Sequence, residues 1–251
     1  RFVVTQQLRA TGGLILEMDG EMLHIDPGSG ALVRAKENKI DLMKLTGVLV
    51  SHCHADHYAD LELVVEAMAH CSRKKRGVLL AGENVINGCG NFHPAISTHH
   101  LEMTERHAIM KPGDTERIGK IEVKATPMKH GDPKGVGFVF TGTNRIGYAA
   151  DGPYFKGQES YFQNCDCLIL NCLRPRTDDW PTHMNSIGAK ELISLTKPKL
   201  AVLTHFGMKM LKGVAEKEAA WMQKETCVTT IAAKDRMVLN FADIGALKKF
   251  M

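Results

Sequence analysis

Ser51-His52-Cys53-His54-Ala55-Asp56-His57 places three imidazoles and one carboxylate within six positions. Nitrogen and oxygen donors at that density suit divalent metal binding, and they are too crowded to be an incidental polar loop. In an extended segment side chains alternate, so His52 and His54 point the same way and can share one ion. Asp56 and His57 come where the chain starts to turn, and can aim at a second ion beside the first. Cys53 falls on the opposite side of the alternation and points away.

The cluster begins where a buried apolar run, Gly47-Val48-Leu49-Val50, ends. Three more candidates repeat that pattern. Arg145 to Ala150 ends on Asp151, Leu200 to Thr204 ends on His205, and Ile121 to Thr126 is followed within a few residues by His130. Polar groups at the exits of apolar strands are what a shared sheet rim supplies. One histidine alone in such a place more often bonds a backbone carbonyl, but the set beside the cluster argues for ligands. The 12 histidines are also many for 251 residues.

Several elements must position these side chains. Gly13 to Met18, Asp19-Gly20 and Glu21 to Ile25 predict a hairpin with a type I′ turn. Leu61, Val64, Val65 and Met68 recur at helical spacing. Strands are predicted at Val78–Leu80, Ile121–Thr126, Val136–Thr141, Arg145–Ala150, Leu168–Leu170 and Leu200–Leu203. One helix starts near Asn185 or Ser186, and another runs from about Met208 to Gln223. Cys227–Ala232 and Met237–Phe241 are predicted to close the chain as strands. Antiparallel-looking strand groups come first and strand–helix alternation later, which favours an α/β chain of two sheets with helices outside them. No Pro/Gly/Ser-rich linker divides the sequence, so a single domain over 1–251 is expected.

Apolar residues make up 44% and charged residues 24%, enough for a core, which excludes disordered, collagenous and coiled-coil chains. No apolar run is long enough for a membrane span, and the start lacks the apolar core of a signal peptide. The balance of 32 basic against 28 acidic residues gives +4, too mild for binding duplex nucleic acid by charge alone. An odd count of seven cysteines in a chain of this size predicts a reducing, cytoplasmic setting. A homodimer is compatible with the sequence.

His52-x-His54-x-Asp56-His57, followed by His130, Asp151 and His205, resembles the metallo-β-lactamase superfamily in order and spacing. The resemblance covers nearly the whole chain, including Gly12-Gly13 and Ile25-Asp26-Pro27-Gly28. It implies an αββα sandwich, two mixed β-sheets flanked by helices, with a binuclear metal site at one edge. It implies that His52, His54 and His130 hold the first ion, that Asp56, His57 and His205 hold the second, and that Asp151 bridges both. Asp26 corresponds to a framework residue of the family. With no cysteine among the ligands, Zn²⁺ suits them best, with Mn²⁺ or Fe²⁺ as alternatives. Two such ions about 3.5–4 Å apart clamp a water and lower its pKa towards ~7, so hydrolysis is the expected reaction. The family's oxygen-reducing di-iron members carry Glu where this chain has His54, and its true β-lactamases carry Cys in place of the bridging Asp151.

His183, in His183-Met184-Asn185-Ser186, narrows the class. Its place resembles that of a histidine in the phosphodiesterase branch, which includes tRNA 3′-processing endonucleases and cyclic-phosphate phosphodiesterases. There it protonates the leaving group or stabilises phosphate, so His183 and Asp56 are the catalytic candidates. The competing reading makes His183 and Asn185 a helix cap. Arg174 and Arg176 are candidate phosphate binders, although such arginines are more often solvated. The tRNA-processing enzymes carry a long arm, and the stretch between His130 and Asp151 is too short for the form inserted there. A small phosphodiester, such as a cyclic nucleotide or cyclic ribose phosphate, is therefore favoured over structured RNA. A thioesterase or lactonase on the same site, needing no His183, is the alternative. Cys89, His93, His99 and His100 form a second His/Cys-rich loop that could line the cleft. Its spacing matches no metal template.

Overall fold

The computed structural model describes residues 2–71 and 73–241, and the strands belong to two mixed sheets flanked by helices. The described residues form two compact units: Val3–Pro127 with Gly131–Thr143, and Met128–His130 with the described residues from Asn144 onward.

In the first unit β1 (Leu14–Met18), β2 (Glu21–Ile25), β3 (Gly47–Val50), β4 (Val78–Gly82) and β5 (Arg106–Met110) make a five-stranded sheet in chain order. The predicted hairpin is present: Met18 faces Glu21, and Asp19 and Gly20 both adopt positive φ, at 55° and 89°. That is the backbone of a type I′ turn, and glycine takes it without strain. The remaining pairs are parallel, not antiparallel as the early strand groups suggest. The physical reason is the crossovers. The helices Ala31–Glu37 and Leu61–Met68 return the chain to the same end of the sheet before the next strand starts. Leu61, Val64, Val65 and Met68 are all fully buried in one cluster with Val48, Val50, Leu79 and Ala81.

The other face of this sheet packs on an antiparallel meander of β6 (Thr115–Ile118), β7 (Ile121–Pro127) and β8 (Val136–Thr141). Contact is close at Gly47, where a Cβ would stand 2.6 Å from Ile118 Cδ1. β5 and β6 escape sequence reading because Arg106, His107, Thr115, Glu116 and Arg117 interrupt any apolar alternation.

The second unit contains β9 (Arg145–Ala149), β10 (Cys167–Arg174), β11 (Met184–Asn185), β12 (Leu200–Thr204) and β13 (Thr229–Ala232). β9, β10, β12 and β13 run parallel, and β11 extends the end of β10 by pairing Cys172 with Met184 and Arg174 with Asn185. The helix Ser186–Thr196 starts where predicted, with the Asn185 side chain accepting from Gly188 N. The last helix is shorter and later than its sequence pattern suggests. Met208–Met210 form a 3₁₀ turn, and Gly213, at φ 83°, precedes the α-helix Val214–Thr226. The strand predicted over Met237–Phe241 is absent from the described residues. Val238 is 89% exposed, so its apolar run has no sheet to join.

His24 on β2 is buried, with Nε2 2.7 Å from Gly12 O, and burial holds its pKa below the usual imidazole value. The folded chain therefore refuses a proton that the unfolded chain accepts near pH 6.5, so stability falls as pH drops below that value. Urea unfolding of metal-free protein at pH 7 and pH 5.5 should show this loss. The loss should be smaller in His24→Gln.

Candidate metal centre

In the first unit the donor cluster hangs from the end of β3 and is braced from the end of β2. Asp26, at φ 53°, accepts from Ser51 N at 2.6 Å, Ser51 Oγ at 2.7 Å and His57 Nδ1 at 2.9 Å. The Ser51 hydroxyl, its proton given to Asp26, lies 2.9 Å from His52 Nδ1 and is left to accept from it. Both imidazoles are thereby held with the proton on Nδ1 and a lone pair on Nε2, the form a metal requires. Gly28 lets this brace approach: a Cβ there would lie 2.0 Å from Asp56 O.

The ligand segment then turns as its spacing predicts. His54 is extended, at φ −114° and ψ 139°, and caps the single helical turn Ala55–Tyr58 that carries Asp56 and His57. The rings of His52 and His54 are 4.7 Å apart, on one side, and those of His52 and His57 are 4.2 Å apart. Asp56 Oδ2 stands 3.9 Å from His57 Nε2. Cys53 points into the core, where burial pushes its thiol up to about 11. Sequence reasoning missed Asp132. This buried carboxylate takes Cys53 N at 2.8 Å, Asn84 Nδ2 at 2.7 Å and Lys134 N at 2.8 Å, fixing the peptide between the two histidines.

In the second unit three imidazoles converge on one carboxylate. Asp151, buried just past the end of β9, has Oδ2 3.3 Å from His183 Nε2, 3.4 Å from His205 Nε2 and 3.8 Å from His130 Nε2. Its Oδ1 accepts from Asn171 Nδ2 of β10 at 2.8 Å. His130 Nδ1 donates to Thr182 O at 2.7 Å, again leaving Nε2 as the lone-pair atom. His205 follows β12 at φ 59°, a strained backbone for a histidine that aims its ring at Asp151.

These spacings test the fit to a metal. The Nε2–Oδ2 separations exceed the 2.7–3.2 Å of ordinary N–H···O bonds. Two donors about 2.1 Å from one ion at a tetrahedral angle stand roughly 3.4 Å apart, which is close to the values for His183 and His205. Nitrogen and carboxylate donors with preset tautomers fit divalent ions such as Zn²⁺. His130, Asp151 and His183 form a metal-sized group within this unit, so the residue read from sequence as an acid sits at ligand distance.

The remaining candidates are engaged by other partners. Arg174 pairs with Asp178 at 3.2 Å and lies over the Trp180 ring, while Arg176 lies over Trp221 beside Glu218. In the Cys89–His100 loop, His100 pairs with Glu62 at 3.1 Å, and Cys53 Sγ reaches His93 O at 3.4 Å. Cys89, His93, His99 and His100 join no metal-sized donor group among the described residues.

Asp26 is thus an orienting carboxylate and more than framework. Asp26→Ala should weaken metal affinity by about 10–100-fold, the usual effect of losing the partner of a ligating histidine. Competition with a chromophoric chelator would measure it, and an unchanged affinity would remove Asp26 from that role.

The chain belongs to the metallo-β-lactamase superfamily and is a metal-dependent hydrolase; the family's sequence model, described as a β-lactamase superfamily domain, matches residues 22–206. The uncharacterized protein MJ1374 of Methanocaldococcus jannaschii is 35% identical over 237 residues, covering 93% of this chain and 88% of that one. Ribonuclease Z of Sulfolobus acidocaldarius is 30% identical over 115 residues, covering 45% of this chain and only 35% of that enzyme. Among solved structures, a diphosphatase from the PhnP family superposes with a TM-score of 0.68 at 17% identity, covering 90% of this chain and 82% of that one. No helix among the described residues is long and apolar enough to cross a membrane.

Proposed function

We propose that this hydrolase is a binuclear phosphodiesterase acting on a small phosphodiester, a cyclic nucleotide or cyclic ribose phosphate. The observation that carries the reading is His183, whose Nε2 lies 3.3 Å from Asp151 Oδ2 on a turn fixed by its own N–H to Trp180 O at 3.0 Å. That contact sets an imidazole beside the carboxylate assigned to the ions, and we read it as the group that protonates the leaving oxygen. The likeness to ribonuclease Z and to a PhnP-family diphosphatase supports chemistry at phosphorus.

His52, His54 and His130 are assigned to one ion, Asp56, His57 and His205 to the other, and Asp151 to both, with Zn²⁺ as the favoured metal. Bound there, such a pair supplies an activated water at neutral pH and Lewis acidity towards the substrate. The chain's own groups do the rest. Asp26, Ser51 and Thr182 O hold the imidazole tautomers, and Asn171 holds Asp151. His183 delivers the proton to the departing oxygen. Arg174, at the stem of the loop that carries His183, is the better phosphate-side candidate of the two arginines.

The 20 residues between His130 and Asp151 hold only β8, β9 and their turns, which favours a small substrate over structured RNA. The family model runs through both compact units, so we read them as halves of one domain over 1–251. Seven free cysteines suit a reducing cytoplasm.

A panel of bis(p-nitrophenyl) phosphate, cyclic nucleotides, thioesters and lactones, assayed with metal-defined protein, tests the reading. Phosphodiester turnover with about two ions per chain is expected. Preference for thioester or lactone would transfer the site to the alternative class.

A further inference from the structure

The loop that delivers His183 leaves β10 at Arg174 and returns at β11, its stem closed by the pairing of Arg174 with Asn185. Its tip is the turn Trp180-Pro181-Thr182-His183, in which His183 N donates to Trp180 O at 3.0 Å. Two features of this turn serve the candidate site. Thr182 O orients His130, and His183 faces Asp151. A third residue of the turn, Trp180, is 49% exposed.

The half-exposed residue is fixed at its backbone, and its ring is backed by a cation. Trp180 N donates to Asp179 Oδ1 at 2.9 Å, and the Arg174 guanidinium stands 5.3 Å from the ring centroid. Asp178 anchors that guanidinium at 3.2 Å and also receives Lys209 Nζ at 3.0 Å. A rigid aromatic ring backed by a cation is a platform for a planar π-system, and bases stack on such rings with little regard to sequence. Turn geometry keeps the Cα atoms of Trp180 and His183 within about 7 Å. The indole and the candidate acid are therefore carried on one tight turn.

We propose that Trp180 is the stacking platform for the nucleobase adjoining the scissile phosphodiester, making the enzyme selective for nucleotides over base-free sugar phosphates. The inference rests on the phosphodiesterase reading and sharpens its substrate class. It also gives Arg174 a role in stiffening the indole.

Equilibrium binding of adenosine 5′-monophosphate and ribose 5-phosphate to the zinc-loaded full chain tests it without turnover. The base should strengthen binding by roughly 5- to 150-fold, the worth of one stacked base. Trp180→Ala should bring the nucleotide down to the affinity of the sugar phosphate, and Trp180→Phe should keep most of the advantage. Trp180 and Trp221 are the two tryptophans of the chain, so in Trp221→Phe the nucleotide, but not ribose 5-phosphate, should quench the remaining emission. Equal affinity for the two compounds, or an advantage that survives Trp180→Ala, overturns the proposal. Turnover of bis(p-nitrophenyl) phosphate by the same wild-type preparation separates the failures. If turnover persists, only the stacking role falls; if it is absent, the phosphodiesterase reading falls too.

Discussion

Replacing Asp151 with alanine is expected to abolish hydrolysis and to leave the protein unable to retain its metal. Three imidazole nitrogens face its Oδ2 at 3.3–3.8 Å, and Asn171 fixes its Oδ1. The substitution removes the buried negative charge around which those donors are arranged. The cost to metal affinity should therefore exceed the roughly 10–100-fold that follows loss of a supporting partner such as Asp26. Stability gives an independent sign. A ligand that binds only the folded state raises its stability by mass action, so wild type should melt higher on adding Zn²⁺. Asp151→Ala should lose that rise. In chelator the variant should not melt far below wild type, because an ion-free buried carboxylate is itself expensive. Asp151→Asn, which keeps the shape without the charge, should behave like the alanine variant. Full activity with two ions still bound in either variant would show that another carboxylate does this work.

The donor set was legible because it lies at strand ends. Gly47–Val50, Arg145–Ala149 and Leu200–Thr204 are largely apolar runs buried on both faces, so their ends are sharp, and His52, Asp151 and His205 follow within two residues. The Asp19-Gly20 turn and the cap at Asn185 were legible for a similar reason, since local chemistry alone decides both. What could not be read depends on contacts distant in sequence. Asp132 meets Cys53 across 79 positions and Thr182 meets His130 across 52, and neither residue carries a local signal. Strand direction in the first sheet was misjudged because β1 and β2 suggest a meander, whereas helical crossovers set the later pairs. β5 and β6 went unseen because charged residues interrupt them. The supporting partners of the ligands, more than the ligands, are where sequence pattern ends.

His183→Ala separates phosphodiester from ester chemistry. An alkyl phosphodiester expels an alkoxide, which leaves poorly unless protonated, and a positioned acid is worth about 10²–10⁴-fold. A thiolate or nitrophenolate departs without that help. The variant should therefore lose about two to four orders of magnitude on an alkyl phosphodiester while barely changing on bis(p-nitrophenyl) phosphate. Metal analysis decides what the 3.3 Å approach of His183 to Asp151 means. Two ions retained with the alkyl substrate alone impaired makes His183 the acid. Both substrates impaired equally, with the metals intact, makes it a stabiliser of phosphate charge. Loss of an ion makes it a ligand, and the shortfall in turnover would then follow metal occupancy. If neither substrate is affected, His183 only holds its loop, and the phosphodiesterase reading loses the residue that favours it over a thioesterase.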